Sequence, residues 1–248
     1  MIYSRISGTG SYLPERILTN AELEKMVDTT DEWIRTRTGI ERRHIAADGE
    51  TTVDLAEHAA RRAIEAAGLK PEDIDFIAFG TTTPDLVFPN CGVLLQKRLG
   101  CLGSPAFSVE TACAGFMYAL SIADKYVRCG ESKRALVIGS ETLSRMTDWQ
   151  DRGTAILFAD GAGAVVLESS ATAGILSTHL HADGRYHDML YCAGGVSTGF
   201  AAKLAIKMSG KEVFKVAVQK LGSVVDETLA ANQLSRSAID WLETPPAQ

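Results

Sequence analysis

The chain has 248 residues, 46% of them hydrophobic, enough to bury a large core as one big domain or as two fused halves. A net charge of -6 argues against a nucleic-acid surface, and five cysteines without a C-x-x-C pair suggest neither a disulfide framework nor a zinc cluster. No basic leader precedes an apolar core and no apolar run reaches bilayer length, so the composition points to a soluble protein of the reducing cytoplasm.

Short apolar runs ending in Gly, Thr or Ser predict strands at residues 2–7, 75–80, 106–109, 135–139, 162–168 and 174–181, of the kind buried on both faces. Between the first two, residues 52–67 read as an amphipathic helix. Val53, Ala56, Ala60, Ala63 and Ala67 share a face, Glu57, Arg61 and Glu65 alternate in charge, and Gly68 ends it. The stretch "SVETACAGFMYAL", residues 108–120, passes from a strand into a helix with Cys113 at the junction. A helix N-terminus favours thiolate, and Ala112, Ala114 and Gly115 leave room for an acyl group beside backbone donors, so Cys113 is a candidate nucleophile. Taken alone, a cysteine is more often inert packing. The helix that follows, residues 114–127, is apolar around most of its circumference and is expected to lie buried between layers.

Further along, "FADGAGAVVLE" lacks the G-K-[ST] ending of a phosphate loop and reads as a tight turn entering a strand. "ESSATAG", residues 168–174, is the nearest thing to a linker. A last helix, residues 212–231, sets Phe214, Ala217, Leu221, Val225 and Leu229 in one stripe. Alternating strands and helices indicate α/β layers.

The blocks "GTGSYLPERILTNAELEKMVDTTDEWIRTRTGIERRHIA", "TACAGFMYAL", "FADGAGAVVLE", "ILSTHLHADG" and "VVDETLAANQLSRSAIDWL" closely resemble β-ketoacyl-acyl-carrier-protein synthase III of the thiolase superfamily, from residue 2 to 242. The resemblance implies a thiolase-like five-layer α-β-α-β-α fold, with residues 1–170 as the N-terminal half and 171–248 as an incomplete second half. It implies an acyltransferase that starts fatty acid biosynthesis: Cys113 takes the acyl group from acetyl-CoA or another short acyl-CoA, which then condenses with malonyl-acyl carrier protein as carbon dioxide leaves. It also implies a homodimer, no cofactor beyond the coenzyme A thioester, no metal, and no nucleic-acid or membrane partner. Trp33 and Arg37 are expected against the adenine and phosphates of coenzyme A, with Thr29 nearby and Arg152 closing the other side. Gly210 and Phe214 match positions along the pantetheine channel, Phe88 matches a residue closing the acyl pocket across the dimer, and Lys215 is a candidate contact for an acidic carrier protein. Without the resemblance, R-x-R reads as solvated charge and Phe88 as core.

The sequence departs from the family after Leu242. Where the family has a catalytic histidine in Pro-His-Gln-Ala-Asn, the chain reads "ETPPAQ", with Pro245 at the histidine's position and Gln248 at the asparagine's. The expectation is therefore a truncated or altered synthase whose condensation is impaired. The alternative is a non-condensing acyl or coenzyme A binding protein, or a partner subunit. None of the five histidines carries into the vacant role: His44 and His58 read as surface residues, and His179, His181 and His187 as parts of a turn rather than a metal site.

Overall fold

A computed structural model of the chain describes residues 2–199 and 204–243; Pro245 and Gln248 lie outside the described residues. In chain order the elements are β1 (Tyr3–Tyr12), β2 (Arg16–Thr19), α1 (Asn20–Leu23), α2 (Asp31–Thr38), β3 (Arg42–Ile45), α3 (Thr52–Ala66), β4 (Phe76–Gly80), α4 (Cys91–Leu99), β5 (Ala106–Val109), α5 (Gly115–Arg128), β6 (Arg134–Thr142), α6 (Arg152–Ala155), β7 (Asp160–Ser170), β8 (Leu190–Cys192), β9 (Ile206–Met208) and α7 (Gly210–Ala231). They form two compact units interleaved along the sequence, Met1–Arg16, His44–Thr142 and Asp160–Leu176 in the first, and Ile17–Arg43, Leu143–Ala159 and Ser177–Gln248 in the second. No helix among the described residues is long and apolar enough to cross a membrane.

The first unit is built on a five-stranded sheet of order β1-β7-β6-β4-β5. Its β4 pairs in parallel with β5 and β6, while β7 runs antiparallel to β6 and β1. Side chains alternate across a strand, and here both faces are dry. Ile77 and Phe79 of β4 join Leu136 and Ile138 of β6 in one core under α3 and α4. Phe76 and Ala78 join Ala135 and Val137 in the opposite core under α5. The result is an α-β-α sandwich.

Local signals fix its helices. Thr51 and Asp54 form a reciprocal capping box at the start of α3, and Gly68 beyond its end takes a left-handed φ of 69°. Along α3, Val53, Ala56, Ala60 and Ala63 are fully buried, as their common face requires. At Gly8, where the β1–β7 register shifts, a Cβ would run into the Ala63 carbonyl, so only glycine lets α3 lie this close to the sheet.

The structure changes some of these expectations. Residues 174–181 form no strand; the chain there has no regular structure, and Ile175 N–H donates to the Ser4 carbonyl. β1, β6 and β7 are longer than their apolar runs, because small and polar residues continue a ladder once neighbours supply bonds. In particular, β7 begins at Asp160 and carries the glycines of "FADGAGAVVLE" inside the strand, and it runs on into the expected linker. α5 buries Ala119, Leu120, Ala123 and Val127 but leaves Met117 and Tyr126 exposed, so its burial is one-sided within the unit.

In the second unit, α2 is written locally: Thr30 caps its start by accepting from Trp33 N–H, Asp31 and Glu32 occupy the first turn, Arg35 and Arg37 the last, and left-handed Gly39 ends it. β8 and β9 pair antiparallel. On α7 the predicted stripe exists, yet of its side chains only Leu229 is buried, while Phe214 is 65% exposed and Leu221 40%.

Candidate functional site

Two groups of predicted residues emerge, one in each unit. In the first, β5 ends at Val109, Ala112 adopts a φ of 46°, and a 3-10 turn, Ala112–Ala114, leads directly into α5. A left-handed backbone at a residue with a Cβ is strained, and such strain concentrates where a side chain must be presented at a defined angle. What is presented is Cys113, which is exposed, whereas Cys91 and Cys101 are buried. The turn is held from behind by the end of β4: a Cβ on Gly80 would overlap the backbone of Gly115, so strand and helix meet there backbone to backbone.

The thiol does not have the lowered pKa that a helix N-terminus suggests. Although solvent reaches the residue, protein crowds the sulfur, and the lost hydration pushes the thiol above its ordinary value; the Glu141 carboxylate pushes the same way and the residue's own N–H opposes both. Solvent access limits the hydration part of this effect. Cys113 sits in a short 3-10 turn before α5, and burial outweighs what that helix's N-terminus offers the thiolate.

Glu141, at the end of β6, was not legible in the sequence. Its carboxylate accepts from Thr82 N–H at 2.7 Å, Thr82 Oγ1 at 3.1 Å, Thr83 Oγ1 at 2.6 Å and Thr81 Oγ1 at 3.3 Å, tying down the turn after β4. Burial raises its pKa against the pull of those bonds. Seven residues beyond Thr81, Phe88 is 84% exposed and precedes a cis proline, so it is not a core residue.

The second unit brings three predicted residues together. Arg37 lies one turn beyond Trp33 on α2, and its guanidinium carbon is 4.4 Å from the centre of the indole. Arg152, at the start of α6, stands 4.8 Å from the same ring and donates to the Asp28 carbonyl at 3.2 Å. The R-x-R pair divides its labour: Arg35 is ion-paired with Glu41 at 3.0 Å, while among the described residues Arg37 has no carboxylate partner. Two exposed guanidinium groups beside a flat aromatic offer anion donors next to a stacking surface. Thr29 lies in the same segment, its Oγ1 shielded from solvent with no hydrogen-bond partner among the described residues. Gly210 and Phe214 stand at the start of α7, and among the described residues neither makes a ring contact with Trp33.

Four of the five histidines are engaged elsewhere. His44 is half-buried with Nδ1 2.6 Å from the Pro14 carbonyl, which corrects its surface reading, and His58 stacks on Tyr12. His179 and His181 both reach Glu227, at 3.2 and 2.7 Å. That carboxylate stands on α7, 46 residues after His181, so no local spacing rule finds it. Among the described residues no group of three His, Cys, Asp or Glu is arranged to hold a metal ion.

Comparison with known proteins joins these parts. The family described as 3-Oxoacyl-[acyl-carrier-protein (ACP)] synthase III matches residues 107–184. The chain is 59% identical over 246 residues to the Beta-ketoacyl-[acyl-carrier-protein] synthase III of Thioalkalivibrio sulfidiphilus, covering 98% of this chain and 76% of that protein. It is equally 59% identical to that of Xanthomonas campestris, covering 97% and 75%. Among solved structures, the 3-oxoacyl-[acyl-carrier-protein] synthase III of Aquifex aeolicus superposes with a TM-score of 0.89 at 44% identity, over 95% of this chain and 74% of that one. The fold is thus thiolase-like α/β, and the chain spans about three quarters of the length of these relatives. With this identity over nearly all of its residues, the chain belongs to the β-ketoacyl-[acyl-carrier-protein] synthase III family.

Proposed function

We propose that Cys113 accepts the acyl group of acetyl-CoA or another short acyl-CoA, as the first half of a condensation with malonyl-acyl carrier protein that initiates fatty acid biosynthesis in the cytoplasm. The observation that carries this reading is the strained turn that presents an exposed thiol between β5 and α5, in a chain of a condensing-enzyme family. The thiolate attacks the thioester carbonyl, the carbon–sulfur bond to coenzyme A breaks, and the departing coenzyme A thiolate takes up the proton that Cys113 gave. One thioester replaces another, so the acyl group stays reactive. Because the resting thiol is held above its ordinary pKa, deprotonation is part of the barrier.

The Trp33, Arg37 and Arg152 cluster is read as the clamp for the adenine and phosphates, with Thr29 beside it and Gly210 and Phe214 along the pantetheine arm. Phe88 is read as closing the acyl pocket of a second copy in a homodimer, which its exposure supports. Residues 1–170 and 171–248 are read as one thiolase-like half and part of another.

A second reading, acyl or coenzyme A binding without condensation, is favoured by the histidines: His44, His58, His179 and His181 are engaged with Pro14, Tyr12 and Glu227. An enolate oxygen formed by decarboxylation needs a donor, and losing one costs roughly a hundredfold to a thousandfold in rate. Labelled acetyl-CoA with peptide mapping tests the first step; label on Cys91, Cys101, Cys129 or Cys192 in place of Cys113 overturns it. Labelled carbon dioxide release from malonyl-acyl carrier protein decides between the two readings. Release at a rate matching acylation supports condensation, and acylation without release supports binding alone.

A further inference from the structure

Arg43 is among the largest fully buried side chains, 1% exposed, on the edge of a two-stranded ribbon made of β2 and β3. A buried cation calls for an acid partner, since taking its charge out of water costs several kcal/mol, on the order of a salt bridge's whole gain. Among the described residues its hydrogen-bond partners are instead two neutral oxygens. Nε and Nη2 both donate to the carbonyl of Ile156, at 3.1 and 2.6 Å, and Nη1 donates to Asn20 Oδ1 at 2.6 Å. Asn20, itself buried, passes the connection on, its Nδ2 donating to Asp31 Oδ1 at 2.7 Å and to the Ile40 carbonyl at 2.9 Å. Burial pushes the guanidinium down to about 10, so it remains charged at neutral pH.

The two ends of this chain of bonds are informative. Ile156 caps the C-terminus of α6, whose first residue is Arg152. Asp31 is the first residue of α2, which carries Trp33 and Arg37, and Ile40 follows that helix's C-cap. The two segments are over a hundred residues apart in sequence, and one buried guanidinium bonds to the α6 end directly and to both ends of α2 through Asn20. A fork of donors at fixed angles is suited to holding two acceptors at a set separation, which a lysine cannot do.

We infer that Arg43 is a positioning residue, holding α2 and α6 at the spacing that brings Arg37 and Arg152 onto the Trp33 indole. Its effect on ligands rests on the coenzyme A reading above; its effect on the indole does not. The test uses the full chain with Trp149 and Trp241 replaced by Phe, leaving Trp33 as the sole indole of the three. Acrylamide quenching of Trp33 is measured without ligand, and affinities for coenzyme A and for pantetheine are measured beside it. Arg43→Lys is expected to stay folded, to raise quenching of Trp33, and to weaken coenzyme A about tenfold, the size of one charge-assisted bond, while pantetheine is held as before. Asn20→Ala, which cuts the link to α2 but spares the cation, provides the same measurement should Arg43→Lys fail to fold, and Arg42→Lys on the exposed face is the control. Unchanged quenching in folded Arg43→Lys or Asn20→Ala overturns the inference, as does unchanged coenzyme A affinity when Arg37→Ala lowers it. Raised quenching with coenzyme A affinity indifferent to Arg37→Ala and Arg152→Ala upholds the positioning role and removes the coenzyme A reading instead.

Discussion

The two units hold their candidate residues by opposite means. In the first, the thiol's setting is a backbone shape, Ala112 at a φ of 46° and Gly80 pressed on Gly115, braced by strands whose side chains are apolar on both faces. In the second, the indole and its two guanidinium groups are ordered by hydrogen bonds around a buried cation, while much of the apolar stripe of α7 stays open. Apolar burial is insensitive to direction and tolerates pH and salt; a forked hydrogen-bond network is directional and loses everything at one partner. The comparison teaches where each site is vulnerable. The thiol depends on volume, and the clamp depends on donors.

The sharpest way to break the comparison is at the sulfur. Cys113→Ala should remove acyl labelling completely while leaving coenzyme A bound, because the indole and guanidinium cluster proposed to hold coenzyme A lies in the other unit; label retained on the Cys113→Ala chain would mean that another cysteine does the chemistry. Next in size is core volume. Phe79→Ala, fully buried, should cost about 3–5 kcal/mol of stability in denaturant unfolding, whereas Phe214→Ala on the open stripe should stay within about 0.5 kcal/mol. Comparable losses would show that the α7 stripe is covered.

Smaller effects sharpen the polar side. Arg37→Ala or Arg152→Ala should weaken coenzyme A by about 1.5–3 kcal/mol, measured calorimetrically, with little change for ligands lacking phosphates. Equal losses for both ligand types would deny a phosphate role. Glu141→Gln removes a negative charge that raises the Cys113 pKa, so the pH profile of iodoacetamide modification should move to lower pH. A profile that stays put would mean that lost hydration alone sets the thiol.

The least effect is expected at Glu227, whose side chain is exposed. His181 and His179 hold its carboxylate below the ordinary value of 4.5. A depressed carboxylate stabilises the fold above its unfolded pKa and loses that contribution as pH falls through the folded one. The melting-temperature difference between the parent chain and Glu227→Gln should therefore be present at neutral pH and shrink below about 4.5. A difference constant over that range would remove the pairing from the account.

Local physics wrote much of the fold into the sequence. Period and a terminal glycine predicted the helix that became α3, and the short apolar runs predicted β4, which is buried on both faces, and β5, a half-buried edge strand. Residues 174–181, with Ile175, Leu176 and Leu180 among polar residues, were also read as a strand and formed none, since a strand exists only if another edge accepts its bonds. Cys113 stood out through its small neighbours and the strand-to-helix change, and Trp33 with Arg37 only through the resemblance. What the sequence could not contain was which distant groups meet. Arg43 sits in an Arg-Arg pair that reads as exposed charge, and only its parity with buried Ile45 along β3 hints otherwise. Its partners Asn20 and Ile156, the carboxylate of Glu141 whose charge reaches the thiol, and the reversal of the expected thiol pKa are decided by tertiary structure. Burial and long-range hydrogen bonds act through space, and spacing along the chain reports only what lies within a turn or a strand.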